Sequence, residues 1–194
     1  MSDFAKNYLS ELATVIQNID PEPLERVIQC MREARDNGRT LFTCGNGGSA
    51  SIASEMVVDI NKGASYGKEK RFRMIGLADS IATITAYAND VDYESVFVEQ
   101  LKNWAQKGDV LIAISGSGNS PNVLRAVEYA NSVGCATVGC TTSKSGKLRE
   151  ISSLPLLVPS GHMGHLEDCF YMMTHVLCYA FIDGQSGESR DLFS

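Results

Sequence analysis

Val110-Leu111-Ile112-Ala113-Ile114-Ser115-Gly116-Ser117-Gly118-Asn119-Ser120-Pro121 runs from an unbroken apolar pentad into a turn of serines and glycines that ends on proline. Five apolar residues without alternation fit a strand covered on both faces, as in a parallel sheet. Ser120 before Pro121 is a helix start, with a capping hydroxyl and then proline at the first helical position. The spacing predicts a helix to about Val133, stopped at Gly134. Ser115 and Ser117 have no capping role, so their hydroxyls are free for a ligand.

The same corner occurs upstream. Thr40-Leu41-Phe42-Thr43-Cys44 reads as a strand, Gly45-Asn46-Gly47-Gly48-Ser49 as a turn, and Ala50 to Asn61 as a helix. Glycines let the backbone approach a ligand, and the free N–H groups of a helix start attract an oxyanion, with the Ser49 hydroxyl as a further donor. Asn46, Gly47, Gly48 and Ser49 therefore form one candidate phosphate cradle, and Ser115, Gly116, Ser117 and Ser120 a second. Gly45-x-Gly47-x-x-Ala50 also satisfies the dinucleotide fingerprint, but that use needs an acidic ribose contact about twenty residues further on. None stands at Gly63 to Ser65. Asp79, at a later strand end, lies too far along for that contact and is retained as a candidate substrate contact. Two hydroxyl-rich cradles at one end of a sheet suit a sugar phosphate and call for no nucleotide cofactor.

Around these corners, apolar runs alternate with helical stretches. Strands are expected at Arg73 to Leu77, Ala136 to Cys140 and Leu154 to Val158, one or two helices between Ser80 and Trp104, a helical turn near Lys147, and a long helix from about Leu166 to Ile182. That β-α order implies a doubly wound α/β fold with a five-stranded, mostly parallel sheet flanked by helices. Two helices precede it: Phe4 to Ile19, and a second after Asp20-Pro21 that ends at Gly38. The chain is expected to be one domain, 1–194, with a helical pair over 1–38 and the α/β core over 39–194. Gly63 to Lys70 reads as a mobile polar loop.

Composition narrows the partners. The 194 residues carry 17 Lys+Arg against 23 Asp+Glu, and no basic run exceeds Lys68-Glu69-Lys70-Arg71, which argues against nucleic-acid or anionic-membrane binding. No stretch reaches the eighteen or so apolar residues of a membrane span, and the N-terminus lacks an export signal. Six cysteines form no CxxC pair and sit mostly in apolar runs, as reduced thiols in a cytoplasmic protein do.

Four motifs, Cys44-Gly-Asn-Gly-Gly-Ser49, Asn89-Asp90 with Tyr93, Gly108-Asp109-Val110-Leu111 and Ser115 to Ala126, resemble those of the sugar isomerase (SIS) domain family, specifically its phosphoheptose isomerases. The resemblance covers nearly the whole chain. It implies a homotetramer with active sites between subunits and phosphate held by Ser49, Ser115, Ser117 and Ser120. It also implies conversion of sedoheptulose 7-phosphate to D-glycero-D-manno-heptose 7-phosphate through an enediol, in heptose biosynthesis. Gly116 stands where the family usually has Thr.

Aldose–ketose isomerisation needs one group to move a carbon-bound proton and another to manage the oxygens. Glu55 and Asp59, four apart on one helix, share a face that is either solvated or turned to the substrate. His175, within an apolar helix, is either a core histidine or the second proton carrier. Glu167 precedes it by eight residues, about 12 Å along an ideal helix. The resemblance places a metal- and substrate-binding His, a catalytic Glu, a Gln and a catalytic His at Glu55, Asp59, Glu167 and His175. Asp59 keeps the carboxylate and His175 is unchanged, whereas Glu55 and Glu167 depart from the pattern. Together they would make a hard divalent-metal site suited to Zn²⁺ or Mn²⁺. Lys62 takes the place of the family's basic residue from one position earlier, or that function is absent. His162 and His165 fall in the loop before the last helix, either as surface histidines or within reach of the site.

The expectation is an isomerase with Asp59 as base and His175 as its partner on the oxygens, and with Glu167 as a substrate contact. An isomerase of another sugar phosphate and a non-catalytic phosphosugar-sensing or protein-binding module are the alternatives, and a dinucleotide oxidoreductase stands third.

Overall fold

A computed structural model describes residues 3–182. The elements run α1 (Phe4–Gln17), α2 (Glu22–Asp36), β1 (Thr40–Gly45), α3 (Gly48–Val58), β2 (Arg73–Gly76), α4 (Ile81–Asp90) and α5 (Val98–Trp104). They continue as β3 (Val110–Ile114), α6 (Pro121–Ser132), β4 (Ala136–Thr142), α7 (Leu148–Ile151), β5 (Leu154–Val158) and α8 (Met163–Ile182). The sheet order is β2-β1-β3-β4-β5 and every pairing is parallel, so the expected mostly parallel sheet is wholly so.

Each central strand divides its side chains between two cores. Val110, Ile112 and Ile114 face α2, α3 and α8, while Leu111 and Ala113 face α5 and α6. All five residues of β3 are buried, which is why the pentad shows no alternation. At the amino end, buried Asp109 fixes the strand starts: its carboxylate oxygens accept from the Thr40 amide at 2.9 Å and the Gln106 amide at 2.8 Å. Gly108, at φ +90°, makes the turn into it.

Three local expectations change. The helix predicted to Asn61 leaves α-geometry after Val58 and closes as a π-helical turn, Asp59–Gly63; such turns interrupt helices often at functional sites, and periodicity alone does not reveal them. The loop after it is partly interior, because Ser65 is buried, donates to the Ile60 carbonyl at 2.8 Å and accepts from the Phe72 amide at 3.0 Å. The long C-terminal helix begins three residues earlier than expected and is not buried all round: Tyr171, His175, Val176 and Tyr179 are exposed. Among the described residues, no helix is long and apolar enough to cross a membrane.

Strands β1 and β3 lie side by side with Gly45 opposite Ile114, so both corners open at the same level. From β1 the sheet grows one way to β2 and the other way to β3. This reversal leaves a crevice at the carboxyl ends, where ligands bind in open α/β sheets.

Candidate active site

In the first corner, Gly47 adopts φ +54°, a left-handed conformation that turns the chain into α3. Gly45 has no room for a side chain: a Cβ there would lie 2.7 Å from the Ser49 carbonyl oxygen. Ser49 itself is buried in the first turn of α3. Asn46 sends its side chain to the other corner. Its amide donates to Asn122 Oδ1 at 2.9 Å, and its Oδ1 accepts from the Asn122 amide at 2.8 Å and from the Tyr93 hydroxyl at 2.9 Å.

In the second corner, Ser120 occupies the N-cap position of α6, yet its hydroxyl makes no capping bond. It lies 3.1 Å from the hydroxyl of buried Ser115 instead. Capping is thus not what Ser120 is for, and the two hydroxyls face each other at the mouth of the crevice. Ser117 is exposed, and its Oγ accepts from the Asn119 amide at 3.2 Å. Gly116 is buried under Met163, since a Cβ there would lie 2.7 Å from the thioether sulfur. A Thr at this position would displace the end of the exposed Met163 side chain.

Glu55, Asp59 and His175 converge. Each offers a ligand atom within 4.8 Å of the others, the one such group among the described residues, and Asp59 Oδ2 lies 3.9 Å from His175 Nε2. The turn of α8 carrying His175 packs on α3 near the start of the π-helical turn. The His175 side chain is 51% exposed, which separates it from a buried core histidine. Buried Cys178 lies beside the pair, and its thiol is pushed up by burial first and then by the charges of Asp59 and Glu55. The donors that converge are two carboxylates and one imidazole. Three protein donors on a solvent-open face match what a catalytic divalent cation takes when it keeps a position for substrate.

Glu167 stands apart from this trio. Its carboxylate rests on Gly48, where a Cβ would lie 2.8 Å from the carboxyl carbon; the glycine is what lets an acid approach the positive end of α3. Asp79 is exposed and accepts a hydrogen bond from the Ser54 hydroxyl. Lys62 is exposed on the π-helical turn. His162 is exposed, but His165 is buried rather than a surface histidine, and neither joins the trio. The roles of Asn122 and Tyr93 are absent from the sequence reading, although both lie inside motifs quoted there.

Comparison with known proteins places these features. The SIS domain family model matches residues 4–142. The phosphoheptose isomerase of Aliarcobacter butzleri is 35% identical over 180 residues, covering 91% of this chain and 94% of that protein. Among solved structures, phosphoheptose isomerase GmhA from Neisseria gonorrhoeae superposes with a TM-score of 0.86 at 26% identity, covering 93% of this chain and 98% of that one. A phosphoheptose isomerase from Francisella tularensis gives 0.85 at 25% identity, covering 94% and 100%.

Proposed function

The chain belongs to the SIS domain family, among the phosphoheptose isomerases, and we propose that it interconverts sedoheptulose 7-phosphate and D-glycero-D-manno-heptose 7-phosphate through an enediol. It is an aldose–ketose isomerase of a phosphorylated sugar. The observation that carries the reading is the joining of the two serine-and-glycine corners by the Asn46–Asn122 pair, beside the carboxylate and imidazole of Asp59 and His175.

In this reading the phosphoryl group sits between the corners, taking hydrogen bonds from the hydroxyls of Ser49, Ser115, Ser117 and Ser120 and from backbone amides at the start of α3. The carbonyl end reaches the carboxylates. Asp59 takes the proton from one of the two reacting carbons and returns it to the other, while His175 moves a proton between their oxygens. Glu167, a residue of α8 whose carboxylate lies against the start of α3, accepts from sugar hydroxyls, and Asp79 is a further substrate contact. Glu55, Asp59 and His175 would hold a divalent cation, with Zn²⁺ the first candidate. When bound, such an ion polarises the substrate oxygens and stabilises their developing charge.

The assembly belongs to the same proposal. Neither α1 nor α4 has a buried residue, and Phe4, Leu9, Ile81 and Val91 are exposed. These are apolar surfaces suited to a homotetramer with sites between subunits. The six free thiols suit a reducing cytoplasm.

Glu55, where the family pattern has His, favours one further reading, in which the same pocket takes a different sugar phosphate. Turnover of a panel of ketose and aldose phosphates, with and without chelator, tests both. The proposal expects sedoheptulose 7-phosphate to be turned over, with loss of activity in chelator and in Asp59→Asn. Turnover of another sugar phosphate alone would replace the substrate, and no turnover of any would remove the enzyme reading.

A further inference from the structure

The first two turns of α8 carry contacts on two adjacent faces. Met163 and Glu167, four apart, lie on the cradles, against Gly116 and Gly48 respectively. Gly164, His165 and Asp168 lie under Tyr8 of α1. The Tyr8 hydroxyl donates to Asp168 Oδ2 at 2.6 Å, across 160 positions of chain. Its ring meets His165 edge-on with centroids 4.5 Å apart and His162 at 5.7 Å, and the two imidazoles lie 4.4 Å from each other. Gly164 is needed for this approach, because a Cβ there would come within 2.7 Å of the Tyr8 oxygen.

From these contacts we infer that Tyr8 is a positioning residue for the active site: by clamping Asp168 and the His162–His165 pair, it holds the start of α8 in the register that sets Glu167 on the first cradle and Met163 on the second.

Three features make the clamp more than incidental docking. Helix α1 has no buried residue, and its only partly buried ones are Tyr8, Leu12 and Val15, a single stripe in which Tyr8 alone makes a side-chain hydrogen bond to the body of the fold. His165 is 3% exposed and its Nε2 has no hydrogen-bond partner among the described residues, so packing by the Tyr8 ring rather than hydrogen bonding at Nε2 holds that face of the ring. His162 closes the arrangement: its Nδ1 accepts from the His165 amide at 3.4 Å and its carbonyl from the Leu166 amide at 3.0 Å, tying the entry of α8 to the residues Tyr8 covers.

The inference rests on the proposed function, since that reading places Glu167 at the substrate and makes a phosphate site of the corner that Met163 touches. Tyr8→Phe keeps the ring and removes only the hydrogen bond. Expected is a rise of about threefold in KM for the ketose phosphate and in the dissociation constant of inorganic phosphate, with kcat held within about twofold, because misplacement of binding groups acts through the bound geometry. Asp168→Asn retains an acceptor and stays near wild type, whereas Asp168→Ala matches Tyr8→Phe. In a Glu167→Ala/Met163→Ala background, Tyr8→Phe has no further effect, since the coupling has lost its carriers. Equal phosphate affinity in wild type and Tyr8→Phe, or an undiminished Tyr8→Phe effect in the double-alanine background, would overturn the clamp. Absence of turnover by the wild type would overturn the proposed function instead, and the phosphate measurement keeps the two apart.

Discussion

The side-chain amides of Asn46 and Asn122, 76 positions apart in the chain, hydrogen-bond to each other in both directions. Each belongs to a different strand-to-helix corner, so the pair ties the two corners together, as the proposed single phosphate site requires. Asn122 is 2% exposed, and removing it would strand the Asn46 amide at the centre of the crevice. Asn122→Ala is expected to cost about 1–3 kcal/mol in urea unfolding, the penalty for a polar group left without its partner. Asn46→Ala/Asn122→Ala should cost less than the sum of the singles. Additive losses would show that the two corners are independent.

Gly48 separates stability from function. No positive φ requires glycine there, so alanine suits the helix by propensity and leaves stability unchanged or slightly higher. Its Cβ would push the Glu167 carboxylate off the first cradle. Gly48→Ala should therefore unfold at the same or higher urea concentration while KM for the sugar phosphate rises about tenfold, the size of one lost charge-assisted contact. Adding Glu167→Ala should bring little further loss. An unchanged KM would remove Glu167 from the substrate site.

What the sequence conveys and what it hides divide along the same line as these contacts. Strand β3 and both corners are legible because an unalternated apolar pentad, a serine–proline helix start and clustered glycines are local signals. Glu55 and Asp59 are legible as a pair by helical spacing, although the π-helical turn that begins at Asp59 is not. His175 stays ambiguous within an apolar run until the fold shows which side of α8 it occupies. The Asn46–Asn122 exchange, the meeting of Glu167 with Gly48 and the Tyr8 clamp join residues far apart in the chain, and no local pattern marks them.

The buried thiols give a pH signature. Burial pushes Cys44 and Cys140 up to about 12, and burial with the nearby Asp109 charge pushes Cys135 up to about 11, against a usual value near 9. The folded state thus holds these protons after the unfolded chain has released them. Their contribution to stability is complete below pH 9 and is lost as pH rises through about 11 to 12. The urea midpoint should stay level up to pH 9 and then fall. Iodoacetamide at pH 8 should label Cys44 and Cys140 only in denaturant, and rapid labelling of either in the native protein would contradict their burial.

The most direct measurement is a crystal structure with sedoheptulose 7-phosphate bound to the Asp59→Asn protein. The account predicts phosphoryl oxygens among the hydroxyls of Ser49, Ser115, Ser117 and Ser120, with the first two carbons of the sugar beside residues 59 and 175. A sugar bound elsewhere, or a phosphoryl group that touches only one of the two corners, would contradict it.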